Sequence, residues 1–159
     1  MIKNPDNTSS KTNPVGQFMV AAGAVIELRD TGKILIIQRD NEIDWHAGDW
    51  EICYGRIAQF EDLKTGLKRE VAEEVGIKDI EILDVTRVWH MFRGTERAEN
   101  ELIGITFHCK TNTEQVLLST EHSQFQWIQP EEALKIIRND GIREDITEFI
   151  KAKTHGQTS

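Results

Sequence analysis

Runs of apolar residues separated by polar turns predict three β-strands in the N-terminal part of this chain. Residues 18–28 are apolar and rich in β-forming side chains, as in a buried strand. A turn signal at residues 30–32 precedes a second apolar run at residues 33–39, so these two strands are expected to form a hairpin. A shorter apolar run at residues 50–54 predicts a third strand.

Between Asp62 and Val75 the apolar residues recur with the period of a helix instead of that of a strand. An aliphatic residue recurs at every fourth position, at Leu63, Leu67, Val71 and Val75. Gly76 follows at the position where a glycine commonly ends a helix. The segment therefore predicts an amphipathic helix with one apolar face.

Further strands and two helices are predicted in the second half of the chain. The strands correspond to residues 80–89, 102–109 and 125–128. Pro130 favours the first turn of a helix, which we expect to continue to about residue 138. A last helix is expected over residues 143–151.

Length and composition fit one domain flanked by two polar tails. The 159 residues, of which 38% are hydrophobic and 29% charged, are enough to build one hydrophobic core. The mixture of strands and helices predicts an α+β or α/β domain at residues 17–152. Residues 1–16 and 153–159 are polar and are expected to be flexible tails.

Charge and cysteine content restrict the partners and the compartment. The net charge is −8 and no block of Lys or Arg occurs, which argues against a nucleic-acid duplex or an anionic membrane as partner. No apolar run reaches the roughly 18 residues of a membrane span, and the N-terminus lacks the apolar segment of a secretory signal. Cys53 and Cys109 are far apart, as in a cytoplasmic protein with two free thiols.

Three carboxylates share one face of the helix predicted between residues 62 and 75. Glu70, Glu73 and Glu74 are spaced i, i+3 and i+4, so they fall within about 100° of one another around the helix axis. Carboxylates this close repel each other unless a positive charge lies among them. Oxygen ligands of this kind favour a hard divalent cation, Mg²⁺ or Mn²⁺.

These glutamates belong to a longer pattern that resembles the Nudix box. The pattern specifies nine positions at fixed spacing, and this chain matches all of them: Gly55, Glu61, Arg69, Glu70, Val71, Glu73, Glu74, Gly76 and Ile77. The chain is therefore similar to the Nudix hydrolases, and to their MutT-like members in particular. The resemblance implies a Nudix fold, with a mixed β-sheet in an α/β/α sandwich.

The resemblance also implies roles for the residues of the box. The Gly55 carbonyl and the three glutamates of the helix face would ligate Mg²⁺, with Mn²⁺ as an alternative. Arg69 would pair with Glu61 and hold the loop and the helix in register. The metal would polarise a water molecule and a carboxylate would accept its proton, so that a phosphoanhydride bond is hydrolysed.

Three residues outside the box are carried over from the same resemblance. Glu121, six residues before Trp127, is similar to a loop glutamate that serves as a further metal ligand or as the general base. Arg39, at the end of the second predicted strand, resembles an arginine that reaches the substrate. Glu51, just before the box, would support the metal ligands. A purely structural role is the alternative for each, and the general base stays open among the carboxylates.

The chain departs from the family pattern just before the box. Many relatives have Pro-Gly-Gly there, whereas this chain has Cys53, Tyr54 and Gly55. We expect Tyr54 to add bulk beside the metal site and to affect how substrate enters. Cys53 is expected to be a small buried residue rather than a nucleophile.

Aromatic and basic residues near the end of the strand predicted at residues 80–89 are candidates for substrate binding. Trp89 and Phe92 could stack on a base, and Arg93 could pair with a phosphate. Trp45 and His46 are an alternative platform for the base. Phe92 and Arg93 also stand where members specific for ADP-ribose have a proline and those specific for diadenosine polyphosphates have a tyrosine, which argues against both subclasses.

The resemblance predicts an enzyme that hydrolyses a diphosphate bond in a nucleoside diphosphate linked to another group. The leading expectation is a nucleoside triphosphate pyrophosphohydrolase that releases a monophosphate and pyrophosphate. The alternatives are a pyrophosphatase of ADP-ribose or of a nucleotide sugar, and a module that binds or senses a nucleotide without catalysis. A small nucleotide would be the partner in each case, and the family also allows a homodimer.

Overall fold

A computed structural model describes residues 16–42 and 46–156 of the chain. These residues form seven strands, three α-helices and one turn of 3₁₀-helix at Ala98–Asn100. The strands are β1 (Met19–Leu28), β2 (Ile34–Arg39), β3 (Trp50–Glu51), β4 (Cys53–Arg56), β5 (Glu81–Phe92), β6 (Glu101–Thr111) and β7 (His122–Ile128). The helices are α1 (Leu63–Val75), α2 (Pro130–Ile136) and α3 (Asp140–Gly156). No helix in this part of the chain is both long and apolar enough to cross a bilayer.

The strands form one mixed sheet. Their order is β3-β2-β1-β6-β5, with β4 paired to β1 and β7 paired to β2. β1 and β6 run parallel, and the other pairs are antiparallel. The predicted β1–β2 hairpin is present, with the Leu28 amide donating to the Lys33 carbonyl over 2.8 Å. Gly32 in the turn has φ of 68°, a conformation that glycine adopts without strain.

Alternate residues of β1 face two separate cores. Ala24 and Ile26 belong to a buried cluster that includes Val71 of α1. Val25, between them in sequence, belongs to a second cluster that includes Phe149 of α3. Because neighbouring side chains of a strand point to opposite faces, the sheet lies between α1 on one side and α2 and α3 on the other. This is the α/β/α sandwich that the resemblance implied.

Helix α1 begins and ends close to its predicted bounds. The Asp62 side chain caps its N-terminus by accepting a hydrogen bond from the Thr65 amide over 3.0 Å. Gly76 adopts φ of 72° after the last turn, and its amide donates to the Ala72 carbonyl over 3.1 Å. The apolar face of α1 packs on the sheet. The face that carries the glutamates is directed toward the end of β4.

Several elements begin or end a few residues away from their predicted bounds, and two of the differences have an identifiable structural cause. The strand predicted at residues 50–54 is two strands, because the chain changes partner at Ile52: β3 pairs with β2, and β4 pairs with β1. Residues 153–156, predicted in a flexible tail, continue α3, because Lys153 forms an ion pair over 2.6 Å with the buried Glu27 of β1. The other predicted tail residues, apart from Gly16, lie outside the described part of the chain.

Candidate active site

Gly55 and Glu70 bring the end of β4 against helix α1. The Glu70 side chain lies directly over the backbone of Gly55, so a Cβ atom at Gly55 would be 2.0 Å from both Cγ and Cδ of Glu70. Only a residue without a side chain leaves room for this carboxylate. β4 and the acidic face of α1 are therefore in contact where the sequence predicts the metal site.

Arg69 connects the loop before α1 to the carboxylates of the helix. Its guanidinium donates to both oxygens of Glu61, over 2.7 and 2.8 Å, in a bidentate pair. The same guanidinium donates to Glu70 over 2.8 Å and to Glu73 over 3.2 Å. Hydrogen bonds from Arg69 and from the Ala58 amide lower the pKa of Glu61 to about 2. Glu61 therefore stays ionised and braces the loop against the helix.

Glu74 has a carboxylate oxygen that is buried and unpaired. Its Oε2 atom has no hydrogen-bond partner among the described residues. Burial, followed by the charges of Glu51, Glu70 and Glu121, raises the pKa of Glu74 to about 8. A buried polar atom without a partner costs about 1–3 kcal/mol, so this oxygen is a favourable position for a cation.

Glu51 is held near Glu74 by two donors on one of its oxygens. Its Oε1 atom lies 3.1 Å from Nη1 of Arg39 and 3.0 Å from Nε2 of His122. The His122 side chain is fully buried, and its Nδ1 atom has no partner in the described residues. Glu51 and Arg39 are thus fixed together, with the arginine at the edge of the acidic cluster.

The loop before β7 brings Glu121 to the same cluster. The amides of Leu117 and Ser119 donate to the carbonyls of Val75 and Glu74, both over 2.9 Å. These bonds tie the loop to the C-terminal end of α1. Glu121 itself is exposed, and its carboxylate is close enough to Glu74 to raise the pKa of that residue.

A cleft of about 1500 Å³ opens beside these carboxylates. Four of the five substrate candidates line it together with the glutamates: Arg39, Tyr54, Trp89 and Arg93. Phe92 was expected to bind substrate, but it does not line the cleft. Its ring packs edge-on against His90, with centroids 5.3 Å apart. Side chains alternate between the two faces of β5, so Trp89 and Phe92 point to opposite sides.

Tyr54 lines the cleft, but its ring is directed away from the expected position beside the metal site. Its ring crosses Gly23 of β1, where a Cβ atom would be 2.2 Å from the ring, and packs on the core cluster of α2 and α3. Its hydroxyl donates to Asp145 over 2.6 Å. Burial, followed by the charge of Asp145, raises the pKa of Tyr54 well above its ordinary value. Because residues alternate along β4, Gly55 meets α1 while Tyr54 points toward α3.

The remaining expectations concern Cys53 and the pair Trp45 and His46. Cys53 is buried with a free thiol whose pKa is raised by burial, as expected of a core residue and not of a nucleophile. Trp45 lies outside the described residues. His46 has its Nδ1 atom 3.2 Å from Asp49 and lines a smaller cavity of about 270 Å³ rather than the main cleft.

Comparison with known proteins decides the family. Residues 17–150 match the model of the NUDIX domain. The chain belongs to the Nudix family. It is a Nudix hydrolase, and its reaction is the cleavage of a phosphoanhydride bond.

Individual Nudix relatives resemble the chain over most of its length. It is 31% identical to a MutT-like protein from Streptomyces ambofaciens, over 76% of this chain and 70% of that protein. It is also 31% identical to the CTP pyrophosphohydrolase of Escherichia coli (strain K12), over 74% of this chain and 81% of that protein. The solved structure of a MutT protein from Methanosarcina mazei Go1 superposes with a TM-score of 0.71 at 26% identity, over 87% of this chain and 96% of that one.

The acidic cluster of this Nudix hydrolase fits a divalent cation but is not closed around one. Within residues 16–42 and 46–156, no three His, Cys, Asp or Glu side chains form a ready-made metal site. Two of the candidate ligands, Glu70 and Glu73, accept hydrogen bonds from Arg69 instead. The buried, unpaired oxygen of Glu74 nevertheless suits a cation, and the surrounding donors are hard oxygens of the kind that Mg²⁺ prefers.

Two buried residues near the Nudix site were missed by sequence reasoning. Asp145 could have been noticed, since it occupies the apolar face of α3, three residues after Ile142 and four before Phe149. A carboxylate at such a position is expected to be buried and paired. The contact of His122 with Glu51 could not be predicted from a sequence pattern, because the two residues are 71 positions apart.

Proposed function

We propose that this Nudix hydrolase is a Mg²⁺-dependent nucleoside triphosphate pyrophosphohydrolase. Water attacks one phosphorus atom, the bond from that phosphorus to a bridging oxygen breaks, and a nucleoside monophosphate and pyrophosphate leave. The observation that carries the proposal is the buried, unpaired Oε2 atom of Glu74, surrounded by carboxylates at the edge of a large cleft.

The groups that would hold the cation are the three glutamates of α1, the Gly55 carbonyl and Glu121. Mg²⁺ bound there would offset the charge of the phosphates and favour ionisation of a water molecule. Arg69 keeps Glu70 against Gly55 and fixes Glu61, so it positions the ligands without being one. The proton of the attacking water passes to a carboxylate of the cluster.

The cleft also offers groups for the rest of the nucleotide. Arg39 and Arg93 line it, and a guanidinium suits phosphate oxygens because it can donate two parallel hydrogen bonds. Trp89 supplies an aromatic surface for the base. Among the relatives, the name CTP pyrophosphohydrolase and the name nucleoside triphosphatase NudI support a triphosphate substrate.

A cytoplasmic location and a homodimer complete the proposal. Cys53 and Cys109 are both free, which supports the cytoplasmic location predicted from the sequence. A homodimer stays a prediction, which light scattering on the purified protein tests directly.

A substrate panel with Mg²⁺ and with Mn²⁺ tests the proposed function. Ribo- and deoxyribonucleoside triphosphates, ADP-ribose and a nucleotide sugar are each incubated with the enzyme, and the products are separated by anion exchange. A triphosphate is expected to be the best substrate, with monophosphate and pyrophosphate as products. Reaction in ¹⁸O-labelled water then locates the attacked phosphorus, because the label enters only the product that contains it.

Matched variants connect the activity to the cluster. Glu70→Gln and Glu74→Gln are expected to lower kcat by orders of magnitude with the fold retained. Glu132→Gln makes the same chemical change on α2, where the carboxylate pairs with the exposed Lys135, and should leave kcat unchanged. If ADP-ribose or the nucleotide sugar is turned over faster than every triphosphate, the proposed substrate class is wrong. Nucleotide binding without any metal-dependent turnover would contradict catalysis and favour a sensor.

A further inference from the structure

The hydroxyl of Tyr54 is the centre of a buried hydrogen-bond network between β4 and α3. It donates to Oδ2 of Asp145 over 2.6 Å and lies 2.5 Å from Oγ1 of Thr106. Thr106 donates to the other oxygen of Asp145 over 2.8 Å. Asp145 and Thr106 are almost completely buried. A single carboxylate therefore accepts the hydroxyl protons of two residues that lie on two different strands.

Trp89 is attached to the same network by its indole nitrogen. Its Nε1 atom donates over 3.2 Å to both the Tyr54 and the Thr106 hydroxyl oxygens. The Tyr54 and Trp89 rings meet edge to face, with centroids 5.7 Å apart. The indole also covers Gly104 of β6, where a Cβ atom would be 2.0 Å from two of its ring carbons. Its orientation is thus set by a hydrogen bond, a ring contact and a strand backbone.

The negative charge of the buried Asp145 side chain is balanced by an ion pair with Arg87. Arg87 of β5 donates to Oδ1 of Asp145 over 3.0 Å and forms a second ion pair with Glu144. The Arg87 guanidinium also lies 5.9 Å from the centre of the Trp89 ring. A buried carboxylate that accepts from three side chains, those of Tyr54, Thr106 and Arg87, is costly to disturb, so it gives α3 a fixed attachment to β5 and β4.

The network ends at the substrate cleft, because Tyr54 and Trp89 both line it. They also line the 270 Å³ cavity on its other side, so the two rings form the wall between the two spaces. Tyr54 is the residue that stands where many relatives have a glycine. A glycine there would leave the Trp89 indole without this ring contact and with Thr106 as its one remaining hydroxyl partner among the described residues.

We propose that Tyr54 and Asp145 are positioning residues that hold the Trp89 indole as a fixed wall of the nucleotide cleft. The identity of the ligand, a nucleotide, rests on the proposed function, whereas the contacts among Tyr54, Asp145 and Trp89 do not depend on it. A side chain that is already ordered loses less entropy when a ligand binds, so the network is expected to act on nucleotide affinity more than on the chemical step. Neither residue touches the carboxylate cluster or the reacting atoms in this proposal.

The first test removes only the hydroxyl. Tyr54→Phe keeps the ring on Gly23 and deletes the bonds to Asp145 and Trp89. We expect KM for the best nucleotide to rise about fivefold, the effect of losing one hydrogen bond of about 1 kcal/mol, with kcat changed less than twofold. In the nucleotide-free protein, the ¹H–¹⁵N resonance of the Trp89 indole should shift. Trp89→Phe assigns that resonance among those of the four tryptophans.

A matched control separates positioning from general docking of α3. Lys153→Met breaks a polar attachment of α3 to the sheet that does not involve the Tyr54 network, the 2.6 Å ion pair with Glu27. It is expected to lower Tm about as much as Tyr54→Phe while leaving KM and the Trp89 resonance unchanged. A rise in KM as large as that of Tyr54→Phe would show that any loosening of α3 is sufficient, and would overturn the proposal.

A conservative pair at Asp145 gives the second test. Asp145→Asn keeps an acceptor for Tyr54 at position 145, whereas Asp145→Ala removes that acceptor, so the rise in KM and the shift of the Trp89 resonance should both be smaller in the asparagine variant. An unmoved Trp89 resonance in folded Tyr54→Phe would overturn the proposal. If no nucleotide is turned over, the proposed function fails, and the resonance of the nucleotide-free variants still decides whether Tyr54 positions Trp89.

Discussion

The Glu70 side chain occupies the space that a Cβ atom at Gly55 would fill, at 2.0 Å from two of its carbons. This contact explains in physical terms why the loop that enters α1 starts with glycine. The atoms that would clash belong to a flexible side chain, not to backbone. A larger residue at position 55 therefore displaces a carboxylate of the site before it disturbs the fold.

We predict that Gly55→Ala separates activity from stability. The added methyl group should push Glu70 away from β4, lowering kcat about 100-fold, as expected when a positioned charged group near the reaction is lost. The fold should tolerate the change, with Tm lowered by about 3 °C or less. Initial rates with the best substrate and thermal unfolding measure the two effects. Gly156→Ala, at a position with nothing within 4 Å, is the control and should alter neither.

Arg69→Lys is predicted to weaken the brace between the loop and α1. A lysine cannot make the bidentate pair with Glu61 and also reach Glu70, because it has one nitrogen instead of a planar fork. Activity should fall at least tenfold, with a Tm lowered by about 3 °C. Arg97→Lys makes the same exchange at an exposed arginine 3.9 Å from Glu99 and should behave as wild type. Equal activity of the two variants would contradict the bracing role.

Acid should remove the contribution of Glu61 to stability. Its pKa in the folded protein is lowered from 4.5 to about 2, so the folded state binds fewer protons than the unfolded state in this interval. The stabilisation is therefore complete above about pH 4.5 and is lost as the pH falls toward 2. Urea unfolding of wild type and Glu61→Gln should show a stability difference at pH 6 that shrinks below pH 4. A difference that does not depend on pH would argue against an ionised Glu61.

Glu74 should have the opposite pH dependence in the metal-free protein. Its pKa in the folded state is raised from 4.5 to about 8, so the folded state binds more protons between these values. Stability should then fall as the pH rises from about 4.5 to about 8. Glu74→Gln carries no charge and should be more stable than wild type at pH 8 in EDTA, by about 2 kcal/mol. Urea unfolding from pH 5 to pH 9 measures both curves, and parallel curves would contradict the assignment.

Metal binding is predicted to release a proton from Glu74 near neutral pH. A carboxyl group with a pKa of about 8 is largely protonated at pH 7 and must ionise to act as a ligand. Titration calorimetry with Mn²⁺ in buffers of different ionisation enthalpy counts the protons, and about one should be released per ion. Affinity should increase between pH 6 and pH 8. Glu74→Gln should bind Mn²⁺ more weakly and release no proton, and proton release by this variant would assign the titration to another group.

The sequence predicted those parts of the site that depend on short-range spacing. Glu70 and Glu73 lie on one face of α1 because a helix brings residues three and four apart to the same side, whatever surrounds it. Asp62 and Gly76 mark the helix ends by bonds within a few residues. The hairpin of β1 and β2 could be predicted for the same reason, since its turn is local.

Contacts between distant segments were beyond the reach of such patterns. The network of Tyr54 and Asp145 joins residues 91 apart, and the pair of His122 and Glu51 joins residues 71 apart. Phe92 looks like a substrate ligand by residue type but does not line the cleft, whereas Tyr54 lines it with its ring directed toward α3. The face of the sheet to which each one points depends on strand register, and register is set by pairing with other strands.

The amino-acid sequence by itself therefore determined the family, the acidic face of α1 and its brace, because these follow from residues at fixed offsets along one helix and its entry loop. Only the tertiary structure decided which oxygen is buried without a partner, which aromatic rings border the cleft and how far α3 extends. Burial and side-chain direction arise when strands from distant parts of the chain are packed together, so they are properties of the assembled sheet and its helices.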